Sequence, residues 1–366
     1  MWVKYSLDIY FKRSMSHPKV LFILKKRHLY NLHSKDYAMN SGLLNSAQFV
    51  NKMLQRNGVW SELVQVNDNN DIDRVVTKHR PTHVIIEALW VIPEKFNILH
   101  KLHPNINWII RIHSEIPFIA NEGIAMEWLF KYSQESQDLK IQIAPNSIKM
   151  LDDLHNIGIK NLVYLPNYYP VHHHCKFVPF DTDHDWDKHN VNIGCFGAIR
   201  PMKNQLTQAI AAIEFGNKIG KTIHFHINAE RVEKGENALK NIRALFQNQK
   251  HHKLVEHPWY NHEDFLDIVS KMDLGMQVSF NETFNIVAAD FVSLNIPFIG
   301  SKEIPWLSCL YQADPTSIHK IVGKLKFAYA VKPFGLQKLN RIFLTNACED
   351  AESVWLKRFE NHKNRL

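Results

Sequence analysis

The feature that most constrains this chain is a repeated alternation of short apolar runs with longer amphipathic segments. In the first half, segments with helical spacing separate apolar runs at 20–24, 61–66, 83–87, 107–113 and 141–144. Short apolar runs between polar loops are typical of buried strands, and strands that alternate with helices form parallel sheets. The first half is therefore predicted to be a doubly wound α/β unit, which binds ligands at the carboxyl ends of its strands.

The second half repeats this alternation after a polar break. The run 161–167 is predicted to close the first series, and 171–190 lacks periodicity, which indicates a linker. Apolar runs then return at 191–197, 222–227, 253–255, 272–278 and 297–300. The predicted division is an N-terminal extension at 1–17, an α/β domain at 18–170, a linker at 171–190, a second α/β domain at 191–335 and a helix at 336–366.

Composition favours a two-domain protein of a reducing compartment. The 366 residues exceed the usual size of a single core, and 45% of them are hydrophobic. The four cysteines are widely spaced without a CxxC pair, and Cys195, inside an apolar run, is predicted to be a buried thiol. No apolar run reaches the roughly 18–20 residues that span a bilayer. The prediction is a cytoplasmic protein, with peripheral membrane contact through the aromatic-rich N-terminus as an alternative to a loosely docked extension.

Three charge features allow more than one interpretation. The net charge of +8 is compatible with anionic substrates, nucleic acid or a membrane surface. The basic loop at 25–40 is either a candidate acceptor-binding edge or a solvated loop. The stretch at 172–189 is rich in His and Asp and includes Cys175, all of them metal ligands. Its spacing matches no closed zinc site, so a solvated linker is favoured and no metal is predicted.

A candidate phosphate and sugar site lies in the stretch from Gln277 to Asp290. An apolar run leads into a predicted helix, with Glu282 just before it and Asp290 eight residues later. The first turn is predicted to contain Thr283, Phe284 and Asn285, where free backbone amides attract phosphate. The two carboxylates could accept hydrogen bonds from sugar and ribose hydroxyls. Taken alone, the stretch is explained more simply as a capped helix with an exposed Glu and an Asp on its polar face.

Two further positions are candidates for the same chemistry. Arg200 and Lys203 lie three residues apart in the first strand-to-helix turn of the second half, where two cations could neutralise a diphosphate leaving group. His113 follows a strand at the edge where α/β folds bind ligands. The alternatives are a solvated basic turn and a histidine that only caps the strand. No GxxxxGK[ST] or GxGxxG motif is present, which argues against a P-loop ATPase or a dinucleotide enzyme.

Together these segments resemble retaining GT-B glycosyltransferases with a Glu-x7-Glu-like motif, as in glycosyltransferase family 4. The strand-turn from Phe196 to Asn204 is similar to the family's turn with its Arg/Lys pair. Glu282 and Asp290 have the Glu-x7-Glu spacing, and 294–301 resembles the following strand. In the first half, 111–113 and 165–167 are similar to the family's cleft histidine and the end of its first domain. The resemblance covers most of the chain from about 18 to 301.

The resemblance implies a fold and a set of roles. The fold would be α/β of the GT-B type, with two Rossmann-like doubly wound domains facing a cleft and a C-terminal helix crossing back. The first domain would be the acceptor side and the second would bind the nucleotide sugar. Catalytic roles would belong to His113 and Glu282. Donor-binding roles would belong to Arg200, Lys203, Asn204, Thr283, Phe284, Asn285 and Asp290, with Trp259 or Tyr260 at the base as an alternative to core packing.

The sequence departs from the family at three places. The family has arginine directly after the glycine of the turn, whereas Ala198 stands there and Arg200 follows two residues later. Asn285 replaces a glycine before the helix. The glycine-rich loop after the first strand is reduced to Ser41 and Gly42, which would lie on the acceptor side.

The predicted function is transfer of a sugar from a nucleoside diphosphate sugar, such as a UDP-sugar, to an acceptor hydroxyl without a cofactor. A glycan or lipid-linked precursor is the expected acceptor. The alternatives are a modified base in DNA, motivated by the basic balance, and a non-catalytic GT-B-like binding protein, motivated by Ala198 and Asn285. The acceptor, the donor sugar and the oligomeric state are left open by the sequence.

Overall fold

The computed structural model describes residues 17–26, 42–171 and 189–359, without the side chains of 135–138. The first half alternates strands and helices as predicted. Its elements are β1 (Lys19–Lys25), α1 (Gly42–Arg56), β2 (Trp60–Val66), α2 (Asp71–His79), β3 (His83–Glu87), α3 (Lys95–Leu102), β4 (Asn107–Ile112), α4 (Ile116–Ile119), α5 (Ala125–Leu139), β5 (Ile141–Pro145) and α6 (Ile148–Asn156).

These strands form a parallel five-stranded sheet in the order β2-β1-β3-β4-β5. Alternate residues of β1 enter different cores: Phe22 packs in the cluster on one face, and Leu21 and Ile23 pack in the cluster on the other. Both faces of the sheet are therefore covered, which confirms the doubly wound prediction. Because the strands are parallel, their carboxyl ends meet at one edge.

The second half has the same architecture. Its elements are β6 (Asn190–Gly194), α7 (Gln205–Ile219), β7 (Thr222–Asn228), α8 (Glu236–Gln247), β8 (Lys253–His257), α9 (His262–Ser270), β9 (Leu274–Gln277), α10 (Ile286–Ser293), β10 (Phe298–Gly300), α11 (Ile318–Val331) and α12 (Lys338–Phe359). The strands form a second parallel five-stranded sheet in the order β10-β9-β6-β7-β8.

The last helix, α12, packs back onto the first half. The indole of Trp355 is fully buried, lies 5.9 Å from the ring of Phe22 in β1, and donates from Nε1 to the carbonyl of Pro166 at 2.9 Å. Arg56 at the end of α1 pairs with Glu352 at 3.0 Å. These contacts confirm the predicted crossing of the C-terminal helix. The domain boundaries themselves stay predictions.

The predicted strand at 161–167 is confirmed only in part. The segment is not a regular strand, but it runs beside β5 through a bridge between Ile143 and Leu162 and through three backbone hydrogen bonds, Ile143 to Asn161, Val163 to Ile143 and Leu165 to Pro145. Asn161 has φ +55°, and Pro166 has no amide proton for a ladder. The Leu165 and Pro166 carbonyls instead accept hydrogen bonds from Arg111.

Other predictions separate into those confirmed and those outside the described residues. Cys195 is fully buried, and burial raises the pKa of its thiol to about 12. Most of the N-terminal extension, most of the basic loop, Ser41 and the His- and Asp-rich stretch at 172–188 lie outside the described residues. Within the described ranges, no helix has both the length and the hydropathy to cross a bilayer.

Candidate functional site

A cavity of about 320 Å³ lies between the two sheets, at the carboxyl ends of their strands. This volume falls within the roughly 300–1,000 Å³ of typical small-molecule sites. Both halves contribute to its wall. The polar lining residues are Asn45, Ser46, His113, Ser114, Glu122, Asn167, Arg200, Lys203, Asn228, Arg231, Tyr260, His262, Glu282, Thr283, Asn285 and Asp290.

The turn after β6 brings the predicted cation pair into this cavity. Gly197 has φ +103°, a conformation that favours glycine, and its amide donates to Asn228 Oδ1 at 2.9 Å. The chain then forms a 3₁₀ turn at Pro201–Lys203 before α7 begins. Arg200 pairs with Glu233 at 2.5 Å, and Lys203 Nζ lies 2.6 Å from Glu282 Oε1. The departure at Ala198 therefore does not keep an arginine from the cavity.

Asn285 stands where the glycosyltransferases that the sequence resembles have a glycine. It has φ +64°, in the left-handed region that glycine and asparagine tolerate best. Its Oδ1 accepts from the Ala288 amide at 2.9 Å, so Asn285 is the N-cap of α10. The Nδ2 atom is buried and has no hydrogen-bond partner among the residues that the structure describes. Asn285 therefore lines the cavity as the cap of α10, with Nδ2 enclosed by protein atoms.

The predicted first turn of α10 is wrong by three residues. The helix begins at Ile286 because Asn285 caps it, so Thr283 and Phe284 lie in the preceding loop. The backbone amides of the true first turn include those of Ile286 and Val287, both of which line the cavity. The free amides of the helix N-terminus therefore lie three residues further along the chain than predicted.

Asp290 is a buried carboxylate at the cavity wall. Its Oδ1 accepts from the Tyr169 hydroxyl at 2.8 Å and from His262 Nε2 at 2.7 Å. Burial favours the neutral imidazole, but the Asp290 carboxylate outweighs it and raises the pKa of His262. His262 was not among the predicted site residues; it is the first residue of α9, directly after its N-cap Asn261.

His113 is oriented by a buried ion pair that was also missed. Its Nε2 lies 2.5 Å from Glu87 Oε2, and Arg111 Nη1 lies 3.2 Å from Glu87 Oε1. Glu87 and Arg111 are fully buried and face each other in the β3–β4 register. Burial opposes ionisation of Glu87, but the charges of Arg111 and His113 hold the pKa of this carboxyl below its usual value. With Nε2 donating to Glu87, Nδ1 of His113 is an acceptor, and Asn146 Nδ2 lies 3.5 Å from it.

The nucleobase candidates lie beside an arginine. Trp259 and Tyr260 are half-buried and line the cavity. The Arg231 guanidinium lies 4.8 Å from the centre of the Trp259 ring and shares Glu233 with Arg200. Arg231 follows β7 at the ligand edge of the sheet, a position from which it could have been predicted.

Most of the predicted site residues meet at the cavity, and two do not. The side chain of Asn204 is buried and donates to the carbonyls of Val278 and Pro315, so it supports the loop behind the site. Phe284 packs its ring against Trp306, and its carbonyl accepts from that indole. Neither is part of the cavity wall. The predicted residues that line it are Gly42, His113, Arg200, Lys203, Trp259, Tyr260, Glu282, Thr283, Asn285 and Asp290.

Solved structures share this architecture, whereas no protein-family model and no curated protein matches the sequence. A trehalose-6-phosphate protein from E. coli, bound with UDP-2-fluoro glucose, superposes with a TM-score of 0.61 at 12% identity over 93% of this chain and 99% of that one. A glycosyltransferase from Rickettsia africae gives 0.59 at 11% over 96% and 100%. A trehalose-6-phosphate synthase described in a study of glycosyltransfer with retention gives 0.57 at 13% over 80% and 77%. The chain therefore has the α/β fold of the GT-B class, with two parallel-sheet domains.

Proposed function

We propose that this protein is a retaining glycosyltransferase that moves a sugar from a nucleoside diphosphate sugar to an acceptor hydroxyl. The observation that carries the proposal is that Arg200, Lys203 and the N-terminus of α10 meet in one cavity wall. Two cations beside the free amides of a helix N-terminus favour an anionic ligand.

The diphosphate would bind where these donors converge. The first-turn amides of α10 and its helix dipole attract phosphate oxygens. Arg200 and Lys203 would neutralise the charge that develops as the diphosphate leaves, which is the role a metal ion has in other folds. Lys203 would do so while keeping its contact with Glu282, 2.6 Å away.

The two carboxylates would bind hydroxyl groups on either side of the diphosphate. Glu282, paired with Lys203, would accept from hydroxyls of the donor sugar. Both hydrogen bonds to Asp290 reach Oδ1, so Oδ2 would accept from the ribose. Tyr260 or Trp259 would stack on the base, with Arg231 over the Trp259 ring. His113 would accept from a sugar hydroxyl through Nδ1.

In the proposed reaction, the bond between the anomeric carbon and the β-phosphate oxygen breaks, and the nucleoside diphosphate departs with the electron pair. The acceptor oxygen bonds to the anomeric carbon on the face that the diphosphate leaves. The acceptor proton passes to the departing phosphate oxygen. Enclosure of these groups between the two domains excludes water, which would otherwise hydrolyse the donor.

The test is release of nucleoside diphosphate from a panel of sugar nucleotides, with and without glycan and lipid-linked acceptors. Lys203→Ala and Glu282→Ala are each expected to lower turnover about a hundredfold or more, as removal of one transition-state donor does in other enzymes. Lys218→Ala is the matched control, because Lys218 forms a similar pair with Glu214 on an exposed helix face. Unchanged turnover in both site variants would refute the assignment.

The panel also separates the alternatives. Binding of a sugar nucleotide without release of its diphosphate would point to a non-catalytic protein. Transfer to duplex DNA containing a hydroxylated base, with binding that weakens steeply with salt, would identify a nucleic-acid acceptor.

A further inference from the structure

Glu115 is a buried carboxylate that joins the two domains next to the candidate site. It follows β4 in the first domain and is 2% exposed. Its Oε1 accepts from Ser147 Oγ at 3.1 Å, and its Oε2 accepts from Asn281 Nδ2 at 3.0 Å. Lys149 Nζ lies 2.8 Å from Oε2. Ser147 and Lys149 belong to the first domain, whereas Asn281 belongs to the second.

Asn281 immediately precedes Glu282, and Thr283, which follows it, is also bonded to the first domain. Asn146, just before α6, donates from Nδ2 to Thr283 Oγ1 at 3.1 Å. Both neighbours of Glu282 are therefore held by side chains of the opposite domain. From its own domain, the loop is held by the Phe280 amide, which donates to the Met202 carbonyl at 2.9 Å, and by Lys203.

Lys149 adds a second connection across the cleft. Its ammonium lies 3.0 Å from Glu303, which follows β10 in the second domain, as well as 2.8 Å from Glu115. The Lys149 side chain is 52% exposed, so solvent screens these pairs. The buried hydrogen bond between Glu115 and Asn281 is thus the more effective of the two connections.

We propose that Glu115 is a positioning residue: through Asn281 it holds the Glu282 loop (281–283) in place from the opposite domain. The Glu282 carboxylate is then correctly placed only while the two domains are together. This inference rests on the proposed function, in which Glu282 contacts the donor sugar. A misplacement of about 1 Å in such a group can cost roughly a hundredfold in rate, so a remote hydrogen bond of this kind affects turnover.

A reciprocal exchange of the two partners tests the proposal. Asn281→Asp places a second carboxylate about 3 Å from Glu115, where like charges repel. We expect kcat to fall about tenfold, an effect within the range of couplings between contacting residues. Adding Glu115→Gln removes the repulsion and lets the new amide donate to the new carboxylate. The double variant should recover most of the lost kcat.

Hydrogen exchange of the segment 279–287 gives a second readout that does not depend on turnover. Exchange should accelerate in Asn281→Asp and return toward the wild-type rate in the double variant. Glu352→Gln is the matched control, since Glu352 of α12 bonds Arg56 and Asn57 of the first domain and none of the three lines the cavity. It should change neither kcat nor exchange in this segment.

The outcomes distinguish this proposal from the proposed function. If no sugar nucleotide is turned over, but protection of 279–287 is lost in Asn281→Asp and recovered in the double variant, the proposed function is refuted. The role of Glu115 in holding the Glu282 loop then stands. A wild-type kcat in Asn281→Asp would overturn the positioning role. So would a double variant whose loss of kcat equals the product of the losses in Asn281→Asp and Glu115→Gln measured separately. So would unchanged exchange in all variants.

Discussion

The ammonium of Lys203 lies 2.6 Å from the carboxylate of Glu282, and the two residues come from different strand-to-loop connections of the same sheet. Lys203 ends the 3₁₀ turn after β6, and Glu282 follows β9. Because β6 and β9 are parallel neighbours, both turns emerge at the carboxyl edge. Residues 79 positions apart are thereby placed in one cavity wall with opposite charges.

Replacing Lys203 by methionine keeps most of the side-chain volume and removes the charge. Glu282 is then left 8% exposed without its cation. We expect donor kcat/KM to fall about a hundredfold, because the diphosphate loses a fixed positive charge. Initial rates of nucleoside diphosphate release would measure this. A variant with wild-type kcat/KM would contradict a role for Lys203 at the diphosphate.

The left-handed backbone of Asn285 makes a graded prediction about stability. Asn285→Ala loses the cap and places a Cβ residue at φ +64°, so we expect a loss of about 2 kcal/mol in the free energy of unfolding. Asn285→Gly accepts this φ and should cost only a few tenths of a kcal/mol. Urea denaturation would rank the two. Equal losses would show that the backbone conformation is not what selects the residue.

Asn285→Asp separates the cap from the ligand site. A carboxylate can still cap α10 through the Ala288 amide, so stability should stay near that of the wild type. In place of the buried Nδ2 donor it adds a negative charge to the cavity wall. We therefore expect the donor KM to rise about tenfold or more from charge repulsion. An unchanged KM would argue against phosphate at this position.

Substitution of Glu87 is predicted to be among the most destabilising changes in the first domain. Glu87→Ala leaves the fully buried Arg111 without its carboxylate, and removing one partner of a buried ion pair typically costs about 3–5 kcal/mol. The exposed pair of Arg56 and Glu352 provides the comparison, since Glu352→Ala should cost less than about 1 kcal/mol. Chemical denaturation of both variants checks the difference. Similar losses in the two would refute it.

His226 should make the free energy of unfolding depend on pH. Burial lowers its pKa to about 3, with smaller contributions from His257 and His224. An unfolded imidazole has a pKa of about 6.5, so between these values the unfolded chain binds a proton that the folded chain excludes. The free energy of unfolding therefore falls as pH decreases from about 6.5 to 3, by up to about 1.4 kcal/mol per pH unit from this group.

His226→Gln removes that titration and should flatten the slope over this range. Urea denaturation at several pH values between 4 and 7 measures the slope for wild type and variant. His83, whose pKa burial lowers to about 4, would maintain part of the dependence in the variant. Identical slopes in the two proteins would contradict the prediction.

The local elements of the fold were largely predictable from sequence because they depend on local patterns. Apolar runs identified the strands, and Ser147 and Asn261, residue types that favour N-caps, cap α6 and α9. The run 161–167 makes only a few backbone hydrogen bonds to β5, because the Leu165 and Pro166 carbonyls accept from Arg111 and Trp355, side chains that are distant in sequence. A pattern of apolar residues does not reveal which side chains will take the backbone hydrogen bonds.

The candidate site was predictable where the motif residues themselves carry charge. Arg200, Lys203, Glu282 and Asp290 were selected and line the cavity. Glu87, Arg231 and His262 were missed because their importance comes from the neighbours that packing gives them. Asn204 and Phe284 were selected by their place in the motif, but their side chains turn into the protein to support loops.

The sequence alone determined the two doubly wound units and the residue types at the ends of their strands, because periodicity and turn chemistry act over a few residues. Only the tertiary structure decided that Asn285 caps α10 from a left-handed backbone, that Asp290 binds Tyr169 and His262, and that Glu115 reaches Asn281 across the cleft. These contacts join residues up to 166 positions apart. They depend on how strands order within each sheet and on how the two sheets face each other, which no local pattern encodes.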